Sequence, residues 1–178
     1  MKKTSKLTAA VIGLVLSSVG ATAILSQFLD EKEGNRLSAY RDAGGVWTIC
    51  RGVTRIDGAP VRQGMRLTAA QCDSLNRVEA QRAIDWVKRN VRVPLTEPQI
   101  AGIASFCPYN IGPARCFSST FYRKLNAGDK TGACDEIQRW IFDGGRDCRQ
   151  TYGQANGCYG QVERRAQESE LTCWGLDE

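Results

Sequence analysis

The sequence predicts an α+β domain dominated by helices, with a small β-hairpin as a minor lobe and an apolar helix in front of it. Helix start signals and apolar spacing recur along the chain after residue 68. A single β-rich run is followed by a turn signal. An uncharged stretch lies within the first 29 residues. Five or more helices against one strand pair favour a mainly helical fold.

Two capping boxes give the clearest helix starts. Thr68 is followed three residues later by Gln71, which predicts a helix that runs to about Asn90. Thr96 and Gln99 repeat the pattern and predict a second, buried helix. Weaker apolar spacing predicts further helices over residues 26–40, 118–126, 133–142 and 161–171.

The predicted hairpin and the longest predicted loop complete the pattern. Val46 to Cys50 is rich in β-forming residues, and Ile56-Asp57-Gly58 is a turn signal after it. Residues 143–160 contain five glycines and predict a loop.

Composition excludes several classes of function. The chain has 178 residues and a formal charge of +5, but without residues 1–23 it has 21 basic against 19 acidic residues. This near-neutral remainder argues against a nucleic-acid partner. The chain has no histidine. It therefore cannot build a Ser-His or Cys-His nucleophile or an imidazole-ligated zinc site, whereas carboxylate chemistry remains possible.

The uncharged segment from Leu7 to Leu29 predicts export. Lysines precede this 23-residue stretch and Asp30 and Glu31 follow it, which leaves the N-terminus in the cytoplasm. One interpretation is a cleaved signal peptide, with Ala21-Thr22-Ala23 as the cleavage site. The other is an uncleaved membrane anchor that can leave the bilayer, because Gly, Ser and Thr lower the cost of extraction.

Cysteine usage agrees with export. An even count in an exported chain predicts up to four disulfides, and the absence of a C-x-x-C pair argues against a metal site. The pairs Cys107–Cys116 and Cys148–Cys158 are plausible local loops, while the pairing of the other four stays open. The eight candidates are Cys50, Cys72, Cys107, Cys116, Cys134, Cys148, Cys158 and Cys173.

A carboxyl, a second carboxylate and a hydroxyl follow one another at the start of the domain. Glu33 lies near a predicted helix end, Asp42 lies in the following turn, and Thr48 lies on the first strand. Glycoside cleavage needs one carboxylic acid to protonate the leaving oxygen and a second group to handle water or a cationic transition state. The acid must stay protonated near neutral pH, which partial burial favours.

The stretch resembles the active-site region of phage lysozymes of the T-even type. Their pattern is Glu, eight residues, Asp, five residues, Thr, and the chain matches it with Glu33, Asp42 and Thr48. The resemblance continues, in order, to about residue 175. Further matching residues are Gly34, Tyr40, Ile49, Ser105 to Gly112, Gly132 to Cys134, Arg139, Trp140, Gly160, Arg164, Arg165, Glu168, Trp174 and Gly175.

The resemblance implies a fold, an activity and residue roles. It implies a lysozyme-like domain over residues 30–178 that hydrolyses the β-1,4 bond between N-acetylmuramic acid and N-acetylglucosamine in peptidoglycan, with inversion and without a cofactor. Glu33 would be the general acid, while Asp42 and Thr48 would place water and support the transition state. Tyr109 and Thr120 fall near positions that contact sugar in the family.

Family resemblance also changes the interpretation of the first 29 residues. Some phage lysozymes carry a weak, uncleaved anchor, called a signal-arrest-release segment, which residues 7–29 resemble. We therefore expect residues 1–29 to tether the enzyme to the inner membrane of the host, with the rest in the periplasm. Release would let the first predicted helix, which bears Glu33, fold. The default oligomeric state is a monomer.

Two alternatives stay open from the sequence. A lytic transglycosylase would use Glu33 as acid and base and leave an anhydro-sugar end. A non-catalytic module would bind peptidoglycan without releasing reducing ends. The arginines of the C-terminal half are interpreted mostly as solvated or ion-paired side chains. They are Arg115, Arg123, Arg139, Arg164 and Arg165.

Overall fold

The computed structural model describes residues 4–42 and 44–176 and confirms a mainly helical fold with small antiparallel strand pairs. The helices of this part are α1 (Ala9–Leu16), α2 (Ala21–Lys32), α3 (Ala69–Asn90), α4 (Glu97–Ala104), α5 (Pro113–Ser118), α6 (Thr120–Asn126), α7 (Lys130–Ile137) and α8 (Tyr159–Thr172), with a π-helix over Ser105–Ile111 and a 3₁₀ helix over Cys148–Thr151. The strands are β1 (Arg36–Arg41), β2 (Trp47–Cys50), β3 (Arg55–Ile56), β4 (Ala59–Pro60), β5 (Phe142–Asp143) and β6 (Arg146–Asp147), paired in that order.

Both capping boxes start helices where the sequence predicts them. Thr68 accepts a hydrogen bond from the Gln71 backbone, and the Gln71 side chain accepts one from the Thr68 backbone in return. The same reciprocal pair joins Thr96 and Gln99. These bonds satisfy amide donors that a helix otherwise leaves unpaired at its start.

The predicted helix over residues 26–40 is wrong in its second half. The helix ends at Lys32, and Glu33 is already extended, with φ −106° and ψ 132°. β1 follows and pairs with β2, with Tyr40 opposite Thr48. Strand pairing therefore overrides the weak local helix preference after Gly34. It also makes β1 and β2, rather than β2 and a later strand, the first hairpin of the lobe.

The C-terminal half differs from prediction in detail. Residues 118–126 are not one helix, because Ser119 is extended and its side chain caps α6 through the backbone N–H of Tyr122. The helix predicted over 133–142 ends at Ile137. The predicted loop over 143–160 contributes to the β5–β6 hairpin and contains the 3₁₀ helix.

The predicted single apolar helix at the N-terminus is not confirmed. α1 and α2 are separate helices, because Ser18 adopts φ +56° and the Ser17 side chain donates to the Leu14 carbonyl at 3.0 Å. Such side-chain bonds compete with helix continuation. None of the helices in residues 4–42 and 44–176 combines the length and the apolar character that crossing a membrane needs.

The main core joins both N-terminal helices to the C-terminal helices. Val11 and Ile24 are fully buried in it, together with Phe106 and Leu171. α4 and α8 approach closely at Gly102, where a Cβ would stand 2.7 Å from the backbone nitrogen of Thr172. A second, smaller cluster lies under the β-lobe. Its buried members are Ile49, Cys50, Val53, Val61 and Cys72.

Four disulfides connect the eight cysteines. Cys107–Cys116 and Cys148–Cys158 are the two local pairs that the spacing suggests. The pairs that the sequence left open are Cys50–Cys72 and Cys134–Cys173. Cys50–Cys72 joins the end of β2 to the first turn of α3, and Cys134–Cys173 joins α7 to the residue after α8.

Candidate active site

Glu33 lies directly after the last turn of α2. Its backbone N–H still donates to the Leu29 carbonyl at 2.9 Å, so the helix positions the residue although its backbone is already extended. The Glu33 side chain is 31% exposed. A carboxyl group with this exposure is partly shielded from water and still reachable from outside.

The Glu33 carboxylate is held by Arg164 of α8. Arg164 donates from Nη1 to Glu33 Oε1 at 2.5 Å and from Nε to Glu168 Oε1 at 3.0 Å. The Glu168 side chain is fully buried and also accepts from Ser105 Oγ at 2.7 Å and from Arg165. When Glu33 is ionised, two carboxylates and two guanidinium groups balance each other at the end of α2, as a buried charge cluster requires.

Arg164 remains a cation in this cluster. Burial acts to lower the pKa of its guanidinium, but the charges of Glu168 and Glu33 outweigh burial and leave the pKa above its ordinary value. Its side chain is only 12% exposed. Arg164 is therefore ion-paired, as one part of the prediction states, but it is not a solvated surface side chain.

Asp42 closes the turn between β1 and β2. Its Oδ1 accepts hydrogen bonds of 2.9 Å from the backbone N–H groups of Gly44 and Val46. Its backbone N–H donates to the Val46 carbonyl at 3.0 Å. These bonds fix the carboxylate and leave Oδ2 as the oxygen not used by the turn.

Thr48 lies beside that free oxygen. Its Oγ1 donates to the Val46 carbonyl at 3.0 Å and lies 3.5 Å from Asp42 Oδ2. The residue is 2% exposed. Because a hydroxyl has one proton, the shorter contact takes it, and the oxygen lone pairs remain able to accept.

A cavity of about 580 Å³ opens beside Glu33. Among the sequence-predicted site residues, it brings together Glu33 and Tyr109, whereas Asp42, Thr48 and Thr120 do not line it. The structure therefore gathers the candidates into two groups, Glu33 with Tyr109 in the cavity and Asp42 with Thr48 in the turn. The other lining residues are Arg51, Gly52, Glu79, Arg82, Ala83, Trp86, Arg89, Pro108, Asn110 and Pro113.

Tyr109 forms part of the cavity wall and stays protonated. Its hydroxyl donates to the Arg51 carbonyl at 2.8 Å. Burial, and next the charge of Glu33, raise the pKa of Tyr109 to about 12. By contrast, Thr120 begins α6, and its Oγ1 accepts from Arg123 Nη2 at 3.0 Å.

Sequence reasoning missed Arg51. This residue follows β2, its side chain is 4% exposed, and it forms an ion pair with Asp30 of α2. A charged residue directly after a buried strand was the available signal, since an arginine is rarely buried without a partner. In residues 4–42 and 44–176, no three His, Cys, Asp or Glu side chains form a group that could hold a metal ion.

Comparisons with known proteins extend over nearly the whole chain. A family model described as phage lysozyme matches residues 30–168. The SAR-endolysin of Escherichia phage N15 is 65% identical over 178 residues, which is 100% of both chains. The probable prophage lysozyme of Escherichia coli strain K12 is 60% identical and covers 97% of this chain and 96% of its own.

Solved structures agree with these sequence matches. The endolysin of Escherichia coli O157:H7 phage FAHEc1 is 30% identical with a TM-score of 0.67, and the match covers 85% of this chain and 89% of that one. A mutant of P22 lysozyme is 30% identical with a TM-score of 0.68, covering 86% and 98% of the two chains. The similarity thus holds for the backbone as well as for the sequence.

Proposed function

Because this chain belongs to the phage lysozyme family, we propose that Glu33 is the general acid of its active site. The protein is an endolysin, a glycoside hydrolase of the muramidase type that acts on peptidoglycan. We propose that it cuts the β-1,4 bond between N-acetylmuramic acid and N-acetylglucosamine. Cleavage of this bond requires a carboxylic acid that can reach the glycosidic oxygen.

The observation that carries the assignment is that the glutamate of the family motif, Glu33, has a reachable carboxyl group in the cavity wall. Glu33 is partly exposed in the cavity wall, and only its Oε1 accepts a hydrogen bond among the described residues. Oε2 is therefore free to carry the proton that the leaving oxygen receives. Glu168 is fully buried. Glu79 also lines the cavity and is paired with Arg82, so the family motif, which selects Glu33, separates these two cavity glutamates.

Asp42 and Thr48 are proposed to place the attacking water. Asp42 Oδ2 and Thr48 Oγ1 are neighbours at 3.5 Å, and both can accept a hydrogen bond from one water molecule. The turn fixes Asp42 without using Oδ2. Water held in this way attacks the face of the sugar opposite the leaving group, so the product has inverted configuration.

Tyr109 is proposed to contact the sugar, because it lies in the same cavity wall as Glu33 and its hydroxyl is already bonded to a carbonyl. Its ring, rather than a charged phenolate, is then the surface that a sugar meets. For Thr120, only the family resemblance supports a role in substrate binding. We propose that the enzyme acts as a monomer.

The chemistry is tested by the products from purified Gram-negative peptidoglycan. Hydrolysis adds water, so the muropeptides should have the mass of the hydrated sugar. Proton NMR during the first turnovers should show the α-anomer. Products lighter by one water would identify a lytic transglycosylase, and β-anomeric products would exclude the proposed inversion. An exposed control, Arg55→Gln, should leave both readouts unchanged.

Residues 1–29 are proposed to be a membrane anchor that is retained and later joins the fold. The name SAR-endolysin of the phage N15 relative supports a tether. In the described part of this segment, eight apolar residues are buried against the domain, whereas Leu16 is 71% exposed. The buried residues are Leu7, Val11, Val15, Ala21, Ile24, Leu25, Phe28 and Leu29. The same side chains cannot face lipid and this core at once.

Polar contacts favour a released segment that is docked on the domain. Lys6 N–H donates to Glu170 Oε2 at 2.9 Å, and Gln167 Nε2 donates to the Lys6 carbonyl at 2.6 Å. Thr8 Oγ1 donates to Glu31 Oε1 at 2.7 Å. Cleavage after Ala23 would remove all of α1 from the core. We therefore propose an enzyme that is exported, tethered at the inner membrane, and completed after release.

The anchor is tested by mass spectrometry and fractionation in the host. The intact chain should be in the membrane fraction before depolarisation and in the soluble fraction after it. A mature protein that begins at Ile24 would contradict retention. An enzyme that is soluble before depolarisation would contradict the tether.

A further inference from the structure

Arg51 follows β2 and contacts α2, α3 and the π-helix near Glu33. Its side chain is 4% exposed, and it lies in the wall of the same cavity as Glu33. The partner of its charge, Asp30, is 51% exposed. An ion pair that buries one of its charges is weak evidence for stability, because desolvation of that charge offsets its attraction to the partner. Burial of Arg51 is therefore better explained by geometry than by stabilisation.

The Arg51 side chain holds the last turn of α2. Its guanidinium pairs with Asp30 Oδ1 and donates from Nη1 to the Ser26 carbonyl at 3.4 Å. Residues 26 and 30 are one helical turn apart on the same face. A planar guanidinium with two occupied nitrogens restrains both the position and the rotation of this turn.

The backbone of Arg51 is itself fixed. Its N–H donates to Asn76 Oδ1 of α3 at 3.2 Å, and its carbonyl accepts from the Tyr109 hydroxyl at 2.8 Å. The preceding residue, Cys50, is joined by a disulfide to Cys72 of α3. The Arg51 guanidinium therefore contacts α2 from a backbone position that is itself held in place.

Contacts made by Arg51 and Asn76 bracket Glu33 on both sides. Asp30 lies three residues before Glu33, and Asn35 lies two residues after it. Asn76, which binds the Arg51 backbone, also donates from Nδ2 to Asn35 Oδ1 at 3.4 Å. Glu33 therefore lies within a six-residue span, residues 30–35, that is held at residue 30 by Arg51 and at residue 35 by Asn76.

We propose that Arg51 is a positioning residue that sets the place of the Glu33 carboxyl by holding the last turn of α2 against the β-lobe. The inference rests on the proposed role of Glu33 as the acid. The Ser26 carbonyl is itself part of the anchor segment 7–29. Arg51 can make both contacts only when that segment is packed in the fold, so the same residue couples release of the anchor to assembly of the site.

Steady-state kinetics of the full chain test the proposal with Arg51→Gln and Asp30→Asn. A misplacement of the acid by about 1 Å lowers turnover by up to about 100-fold. We expect Arg51→Gln to lower kcat at least tenfold with KM within twofold. Asp30→Asn should lower kcat at least threefold. The double variant should have a kcat no lower than that of Arg51→Gln, because both substitutions remove the same ion pair between Arg51 and Asp30.

The matched control is Arg55→Gln, an exposed arginine of the same lobe that bonds the Gly58 carbonyl; it should keep kcat within twofold. All rates are taken well below the melting temperature and per folded molecule. An unchanged kcat in Arg51→Gln or in Asp30→Asn, or additive losses in the double variant, would overturn the proposal. If Arg51→Gln does not fold, Asp30→Asn decides alone. Retained turnover in Glu33→Gln would instead overturn the proposed function.

Discussion

Arg164 Nη1 lies 2.5 Å from Glu33 Oε1, across 131 residues of sequence. This contact joins the end of α2 to the middle of α8. Because the same guanidinium also binds the buried Glu168, the position of the candidate acid is tied to the main core. Arg164 therefore links the buried Glu168 to the proposed catalytic acid, Glu33.

Replacement of Arg164 by methionine should cost both stability and activity. Met keeps the apolar stem but removes both ion pairs and leaves the Glu168 carboxylate with fewer partners. Loss of one partner from a buried charge cluster costs about 3 kcal/mol of unfolding free energy. Urea unfolding measures this loss. Arg149→Met, which breaks the exposed pair with Asp147, should cost much less, and an equal loss in both variants would refute the role of burial.

Replacement of Asp42 by asparagine should lower kcat while it leaves the turn, and therefore the unfolding free energy, nearly unchanged. The amide oxygen can still accept from the Gly44 and Val46 amides, so the unfolding free energy should change by less than about 1 kcal/mol. Loss of the charge should lower kcat by about 100-fold. Asp42→Ala, which also removes the turn acceptor, should be the less stable of the two. Full activity in Asp42→Asn would remove this carboxylate from the mechanism.

Tyr109 should titrate well above the ordinary pKa of a tyrosine. Its pKa is raised to about 12 by burial and by the charge of Glu33. The folded state therefore keeps this proton above pH 10, where the unfolded state releases it. The stability from this group is present below pH 10 and is lost as the pH rises to 12. Tyrosinate absorbance should lose its step at about pH 12 in Tyr109→Phe but not in the exposed control Tyr152→Phe; the reverse result would contradict the assignment.

Removal of a disulfide should lower the free energy of unfolding more when the loop that it closes is longer. Loop-closure entropy gives about 3.9 kcal/mol for the 39-residue separation of Cys134 and Cys173. For the 9-residue separation of Cys107 and Cys116 it gives about 2.6 kcal/mol. Unfolding of the two double-alanine variants in denaturant measures both values. A larger loss for the short loop would show that packing, rather than chain entropy, dominates.

Local chemistry explains which parts of the fold could be predicted. Thr68 and Thr96 start helices because their hydroxyl groups and the following glutamines satisfy each other within four residues. The segment after Gly34 could not be predicted locally, because it becomes a strand only by pairing with β2. The break at Ser18 was missed for a related reason, since apolar composition alone does not determine where a helix ends.

The candidate site also contains residues that the local sequence indicates and residues that only the folded chain brings together. Glu33, Asp42 and Thr48 are candidates because of the family resemblance, and the turn that joins Asp42 to Thr48 is local. Arg51 and Arg164 were missed as neighbours of the acid, because their contacts join residues 21 and 131 positions apart. No spacing rule in a single sequence predicts a contact of that kind.

Release of reducing ends by the full chain and by Glu33→Gln tests the central claim most directly. Glutamine preserves the size of the side chain and its hydrogen bond with Arg164 but cannot donate a proton as an acid. With purified Gram-negative peptidoglycan, the wild type should release reducing ends and a folded Glu33→Gln almost none. Comparable release by a folded Glu33→Gln would contradict the assignment of Glu33 as the general acid.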